Sequence, residues 1–424
     1  MDQEATPAPA SWLARHLRPL ILAALTLVAY TAALNRGQTM LWAIAALMSA
    51  TLLAGVVWPH WLVKRLSVVR TGPGKAEEGE TISFQVEVEN HGLLPRFMVE
   101  LIDRLPFSDA SDGLLTLGVV SHVPGKSVRR FTVPLHCEKR GYYRLGPVGL
   151  GSSFPLGLAE ARQQRNEGVQ SLTVYPDVFP IMELPLRGAP SQIHRGGYLL
   201  PQGAGAAEFA GLREYQRGDN PRHVHWPTTA RLNELMIKEF EPLASACLFI
   251  VLDQSLAANV GEGKQATFEY AVRVAASIAR FSCSNAFATR LIGKGEDLLY
   301  MPAGDNEHHY QTILDELAVV AANGYIPYSK VLERVGAECQ PGETVVVFLS
   351  EPAELLEETL QALALLRTRG ANLFALVFER DSFTPIRKAS DRETAAMATA
   401  CILDLGATCL TVRRDTDLVK LFNT

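Results

Sequence analysis

The 424-residue chain has few of the signatures that announce a chemistry. Its six cysteines, Cys137, Cys247, Cys283, Cys339, Cys401 and Cys409, are scattered, without a C-x-x-C pair or zinc-like spacing. That argues against a thiol redox motif, a metal knuckle and a disulfide framework. No glycine-rich nucleotide loop, no G-x-S-x-G and no H-E-x-x-H occurs, and no nucleophile stands out with a base beside it. Charge is nearly balanced, 40 basic against 45 acidic residues for a net −5, so no nucleic-acid partner is expected. Cys247 in an apolar strand run and Cys283 in a helical run read as buried small hydrophobes in a reducing compartment.

What the chain has in excess is apolar sequence near its start. LRPLILAALTLVAYTAAL (17–34) and MLWAIAALMSATLLAGVVW (40–58) contain no acidic residue and no lysine. Each is close to the roughly 20 residues that cross a bilayer. Asn35–Thr39 between them is a short polar turn, so residues 17–61 read as a transmembrane helical hairpin behind a tail of residues 1–16. Arg15 and Arg18 stand at the start of the first run, and Lys64, Arg65 and Arg70 follow the second, against Arg36 alone in the turn. The excess of positive charge outside both ends places everything after the hairpin on the cytoplasmic side of the cytoplasmic membrane. Trp42, Trp58 and Trp61 stand where interfacial aromatics belong.

Residues 62–182 alternate apolar and polar positions over short runs broken by Gly, Pro and Asn. TISFQVEVE (81–89) is the clearest, and Arg96–Asp103, Ser127–Leu135, Tyr142–Val148 and Ser171–Tyr175 follow it. This pattern predicts an immunoglobulin-like β-sandwich. Residues 183–245 form a linker. From 246 to 424 strand-like and helical runs alternate: ACLFIVLD (246–253), helical Phe268–Phe281, NAFATRLIG (285–293), DLLYMPA (297–303), helical 308–320, TVVVFLS (344–350), helical Ala353–Arg369, NLFALVF (372–378), helical Glu393–Leu405, CLTV (409–412) and a last helix. That is an α/β domain with a mostly parallel, doubly wound sheet covered on both faces. Its ligands bind beyond the C-terminal strand ends, near the switch point.

Two places carry candidate chemistry. The first strand of the α/β domain ends in Asp253-Gln254-Ser255-Leu256-Ala257, close to the D-x-S-x-S that holds Mg²⁺ in von Willebrand factor type A domains. The third oxygen is missing at Ala257, and Ser350-Glu351 stands after a later strand where such domains carry Thr-Asp-Gly. Asp253, Ser255 and Glu351 are therefore a depleted metal set. No cofactor is expected, and Asp253 and Ser255 are read as capping backbone N–H groups of the next element. The second place is EFAGLREYQRGDNPRHVHWPTTAR (208–231), with four arginines, two histidines and a Gly-Asp-Asn-Pro turn. Glu208–Gln216 reads as a short helix with Phe209 and Leu212 inward, and Val224–Trp226 as an extended piece.

The spacing E-F-x-x-L-R-x-Y-x-x-G-D-x-x-R-x-x-x-W-x-x-x-A-R, followed by KEFE (238–241), resembles the domain of unknown function 58 family. KRGYYRLGP (139–147), FPLGL (154–158), VYP (174–176) and the paired apolar runs resemble it too. Departures are Ser153-Phe154, where the family commonly carries an Asp ahead of Pro-Phe-Gly-Leu, and the depleted D-x-S-x-S. The resemblance marks Glu208, Arg213, Tyr215, Gly218, Asp219, Arg222, His225, Trp226 and Arg231 as family-motif residues. It implies a non-enzymatic membrane adaptor working with an AAA ATPase of the MoxR type, with a transglutaminase-like membrane protein as a further partner. On the residues alone three readings stand. Arg213, Arg222 and Arg231 could clamp the segment to the α/β domain through Asp219 and stacking on Trp226. The segment could instead be a partner-binding surface, or Asp219, His223 and His225 could centre a metal-dependent hydrolase or peptidase. The first is the expectation.

Overall fold

The two apolar runs fold as helices α1 (Ala10–Arg36) and α2 (Thr39–Val63), and both are long and apolar enough to cross a membrane. They turn at Gly37, whose φ of +65° suits a residue without a Cβ. Ser49 Oγ donates to Tyr30 Oη at 3.0 Å, and the Tyr30 and Trp42 rings meet edge-on across the pair. The computed structural model describes residues 10–104, 114–164, 169–184, 208–215, 224–232, 234–241, 247–384 and 389–423. It divides into two units, Met1–Tyr175 and Pro176–Thr424.

After α2 the first unit is β-rich. Its strands are β1 (Leu66–Thr71), β2 (Lys75–Glu77), β3 (Thr81–Asn90), β4 (Arg96–Arg104), β5 (Leu114–Val123), β6 (Ser127–His136), β7 (Gly141–Leu145), β8 (Gly149–Ser152), β9 (Ala161–Gln164) and β10 (Gln170–Tyr175). They form sheets in the orders β1-β3-β6, β2-β10-β7 and β5-β4-β8-β9. The alternation in β3 works as its period predicts: Ile82, Phe84, Val86 and Val88 are buried and the residues between them face outward. They share one core with Leu101, Val120, Leu135 and Leu172. Arg70 of β1 donates to Asp103 of β4, with both side chains fully buried and the guanidinium beside the Phe84 ring.

The second unit opens with a two-stranded ladder of β11 (Glu208–Glu214) and β12 (Met236–Glu241), with α3 (Trp226–Leu232) between them in sequence. Two expectations are corrected here. Glu208–Glu214, expected to begin a helix, is a strand, because the antiparallel partner β12 takes up its backbone hydrogen bonds. The extended piece shrinks to Val224, which bridges Ile237, and the chain turns helical at Trp226.

The rest of this unit is a mixed sheet of six strands. Those are β13 (Cys247–Leu252), β14 (Ala288–Lys294), β15 (Leu298–Gly304), β16 (Thr344–Leu349), β17 (Asn372–Phe378) and β18 (Thr408–Val412). Their spatial order is β15-β14-β13-β16-β17-β18, parallel throughout except for the β14–β15 hairpin. Every residue of β13 and β16 is buried, which explains their unbroken apolar sequence. Helices α4 (Thr267–Ser284) and α5 (Glu307–Val319) cover one face. Helices α6 (Tyr328–Glu338), α7 (Ala353–Thr368) and α9 (Ala389–Asp404) cover the other, over Phe249, Val251, Val347 and Ala375. The short α8 (Arg380–Phe383) follows β17, and α10 (Leu418–Asn423) lays Phe422 against Phe374. Helix α6 is absent from the sequence-based expectation. The chain reverses its direction of winding between β13 and β16, so the switch point lies between those two strands.

Candidate functional site

Asp253 follows β13 directly and Glu351 stands two residues beyond β16, so the two carboxyls cap the strands that flank the switch point. The turn after β13 is held by its own polar groups. Asp253 Oδ1 accepts from Ser255 N at 2.9 Å, and Asn259 Nδ2 donates to the carbonyls of Asp253 and Ser255. Leu256 N donates to Gly324 O at 2.9 Å, tying the turn to the loop ahead of α6. Yet Asp253 Oδ2, Ser255 Oγ and both carboxyl oxygens of Glu351 are buried without a hydrogen-bond partner. Four such atoms in one place are unusual, since buried polar atoms are nearly always paired.

Arg380, at the start of α8, completes the cluster. Its Nη1 donates to the carbonyls of Ala257, Ala258 and Ser350, joining the ends of β13 and β16 to that of β17. From the opposite side Tyr328, fully buried at the start of α6, donates to Val251 O at 2.6 Å and accepts from Phe348 N at 3.4 Å. Burial pushes Asp253 up to about 6 and Glu351 up to about 8. Desolvation outweighs the Arg380 charge that pulls both down, and it moves Arg380 below and Tyr328 above their ordinary values. Near neutral pH the pair of carboxyls therefore shares about one proton beside one guanidinium. A cavity of about 10 Å³, room for roughly one water, lies among Glu351, Arg380, Asp391 and Thr394.

The resemblance to type A domains raises Mg²⁺ as an occupant, and the residues fit it poorly. Mg²⁺ wants near-octahedral oxygen ligands and keeps several waters. Here Ala257 supplies only a carbonyl, and that carbonyl is turned to Arg380. The guanidinium already brings positive charge to the cluster, and Asp253 and Glu351 are too deeply buried to leave a coordination position open to a partner. Among the described residues no group of three or more His, Cys, Asp or Glu side chains could hold a metal ion. Millimolar Mg²⁺ is therefore expected to leave the melting temperature of the purified protein unchanged near neutral pH. A large rise, lost in Asp253→Ala, would show that the cluster accepts the ion.

The 208–231 segment is only partly described. Gly218, Asp219, Arg222 and His223 lie outside the described residues, as does the side chain of Arg213. Glu208 begins β11 and Tyr215 directly follows it, and Tyr215 and Arg231 are exposed. Trp226 is 65% exposed, and Arg222 and the side chain of Arg213, two of the arginines expected to pack with it, lie outside the described residues. His225 is half-buried, and its Nδ1 lies 2.8 Å from Thr228 Oγ1, a local contact within the first turn of α3. In the first unit Ser67 Oγ lies 2.8 Å from His91 Nε2, and His91 Nδ1 lies 3.6 Å from Glu89 Oε1. Ser67 lies on β1, Glu89 on β3 and His91 just after β3. With His91 and Glu89 half exposed and the second distance too long for a hydrogen bond, they lack the dry, preorganised setting of a catalytic triad.

Residues 211–369 match the family model described as "Protein of unknown function DUF58". That segment belongs to the DUF58 family. The DUF58 segment runs from β11 to the end of α7, so it includes Asp253, Ser255, Tyr328 and Glu351 and stops short of Arg380. The uncharacterized protein YeaD of Bacillus subtilis (strain 168) is 31% identical over 121 residues, covering 28% of this chain and 28% of that one. Among solved structures, the CARDB domain of the PF1109 protein from Pyrococcus furiosus is 16% identical over 26% of this chain and 86% of that one, with a TM-score of 0.20. A beta-glucosidase from Listeria innocua is 12% identical over 26% of this chain and 16% of that one, with a TM-score of 0.19. Scores this low carry no argument about the DUF58 segment or the β-rich strands.

Proposed function

We propose that this protein is a non-enzymatic scaffold anchored in the cytoplasmic membrane by α1 and α2, with its soluble parts in the cytoplasm. In this reading the β-rich strands are an immunoglobulin-like spacer and the six-stranded sheet is a von Willebrand factor type A-like binding module without a working metal site. Its partner is an AAA ATPase of the MoxR type, as the DUF58 resemblance implies, and a transglutaminase-like membrane protein is a second candidate. The observation that carries the proposal is the pair Asp253 and Glu351 at the switch point, backed by Arg380. Such a module uses the same two strand ends to hold a ligand-binding centre, and here they hold an internally neutralised one. The sheet order, with one antiparallel edge strand, supports the same reading. Basic residues flanking the hairpin support the cytoplasmic side.

Crosslinking in native membranes, followed by capture of this chain and mass spectrometry, is expected to recover an AAA ATPase. The same ATPase should be lost from an Arg380→Ala variant that still inserts and accumulates. Recovery of the membrane protein without any ATPase from wild-type cells would count against the scaffold reading. A reporter at Thr424 that is active only outside the cytoplasm is expected to stay silent, and activity there would reverse the orientation.

A further inference from the structure

The path of the strands puts three loops of the β-rich region at the end where α2 delivers the chain. Strand β1 leaves from Leu66, and β3 returns to end at Asn90 opposite it. Strand β6 begins at Ser127, also opposite Asn90, and β5 ends at Val123 opposite Arg96. Strand β8 ends at Ser152 beside the start of β4, and β9 begins at Ala161 opposite Ser152. The loops 91–95, 124–126 and 153–160 therefore lie together at one end, next to Lys64 and Arg65.

Helix α2 runs alongside this end and packs on β4, β8 and β9. Gly55 permits a close approach, since a Cβ there would fall 2.5 Å from Leu158 Cδ1. Arg96 fixes the level of the helix end: it stacks on Trp61 at 3.7 Å and donates to Lys64 O. At about 1.5 Å per residue, Thr39 to Trp58 spans about 30 Å, the thickness of a hydrocarbon core. Gly55 then lies inside the membrane boundary marked by Trp58 and Trp61, and the loop touching it reaches the same depth. The tips of these loops are apolar and exposed: Leu93 at 76%, Leu94 at 58%, Phe154 at 37% and Leu156 at 48%. Lys64, Arg65 and Lys126, all exposed, lie at the same end, at the level of lipid phosphates.

We infer that the β-rich region is itself seated in the bilayer, with Leu93, Leu94, Phe154 and Leu156 inserted at the headgroup–acyl boundary of the leaflet from which α2 emerges. This rests on the reading of α2 as a membrane span. The occupant of the apolar loop surface is phospholipid, because the helix that packs against the loops is continuous with the bilayer. Exposed apolar tips with basic residues at the same end are the composition of interfacial anchors.

The test uses the full chain in vesicles of phosphatidylethanolamine with a phosphatidylglycerol minority and a trace of phospholipid carrying a diazirine on its acyl chain. After irradiation, peptides containing residues 93–94 and 154–156 are expected to carry lipid adducts at a yield comparable with the Trp58–Trp61 peptide. That yield should be about tenfold above the peptide containing Tyr142, exposed at the other end of the β-rich region. Adducts on the hairpin alone would overturn the inference and leave the membrane span intact. Adducts on neither would overturn both.

Discussion

The full-length protein is expected to lose stability as pH rises from about 4.5 to about 8, and Glu351→Gln to remove the upper part of that loss. Burial raises Glu351 from 4.5 to about 8 and Asp253 from 3.8 to about 6. For groups raised in the fold, the contribution is complete below the unfolded values and is lost as pH climbs through the folded ones. Wherever the folded state holds a proton that the unfolded chain has released, each group costs about 1.4 kcal/mol per pH unit. Both act up to about pH 6, and from there to about 8 Glu351 acts alone. Denaturant titrations across that range give the slope directly. Wild-type stability that stays flat from about pH 6 to 8, or a Glu351→Gln variant with the wild-type slope, would show that Glu351 is not held neutral.

Asp103→Ala is expected to cost about 3–5 kcal/mol, the usual result of leaving one member of a buried pair unpaired. Its partner Arg70 is fully buried, and Nε and Nη2 of that guanidinium have no hydrogen-bond partner, so no other group can take over the charge. Replacing both residues with apolar ones, Arg70→Met with Asp103→Leu, should recover most of the loss, since desolvation and attraction nearly cancel in such pairs. The contrast is Arg130 with Glu87, an exposed pair on neighbouring strands, for which Glu87→Ala should cost at most about 1 kcal/mol. Thermal unfolding of the three variants in one detergent decides the matter. A silent Asp103→Ala would mean that water reaches the pair.

The parts of the fold that can be read in the sequence are those in which burial alone dictates residue type. NLFALVF is a strand because both faces are covered, and TISFQVEVE because one face is. Helix α6 escapes notice because its apolar positions, Val331, Leu332 and Val335, are diluted by Lys330, Glu333 and Arg334 and preceded by no capping side chain. Strand β11 is misread because Phe209 and Leu212 suit a helix as well as a strand. Its partner, more than twenty residues further on, makes the choice. The same logic separates the site residues. Asp253, Ser255 and Glu351 can be picked out because each stands within three residues of the end of an apolar strand. Arg380 cannot, because its role depends on bringing the end of β17 to carbonyls 30 and more than 120 residues away in the chain.

Tyr328 determines how the switch point could open. The paired register of β13 and β16 ends at Val251 and Val347, and beyond it the Tyr328 hydroxyl bridges Val251 O to Phe348 N. The two strands thus part around a phenol that belongs to a helix on one face of the sheet. Prising Asp253 and Glu351 further apart would not require tearing the β-ladder. It would require sliding α6, with the Gly324 loop that anchors the turn after β13, and releasing Arg380 from the carbonyls of Ala257, Ala258 and Ser350. A protein that grips the outer surface of α6 therefore has a lever on two carboxyls it never touches.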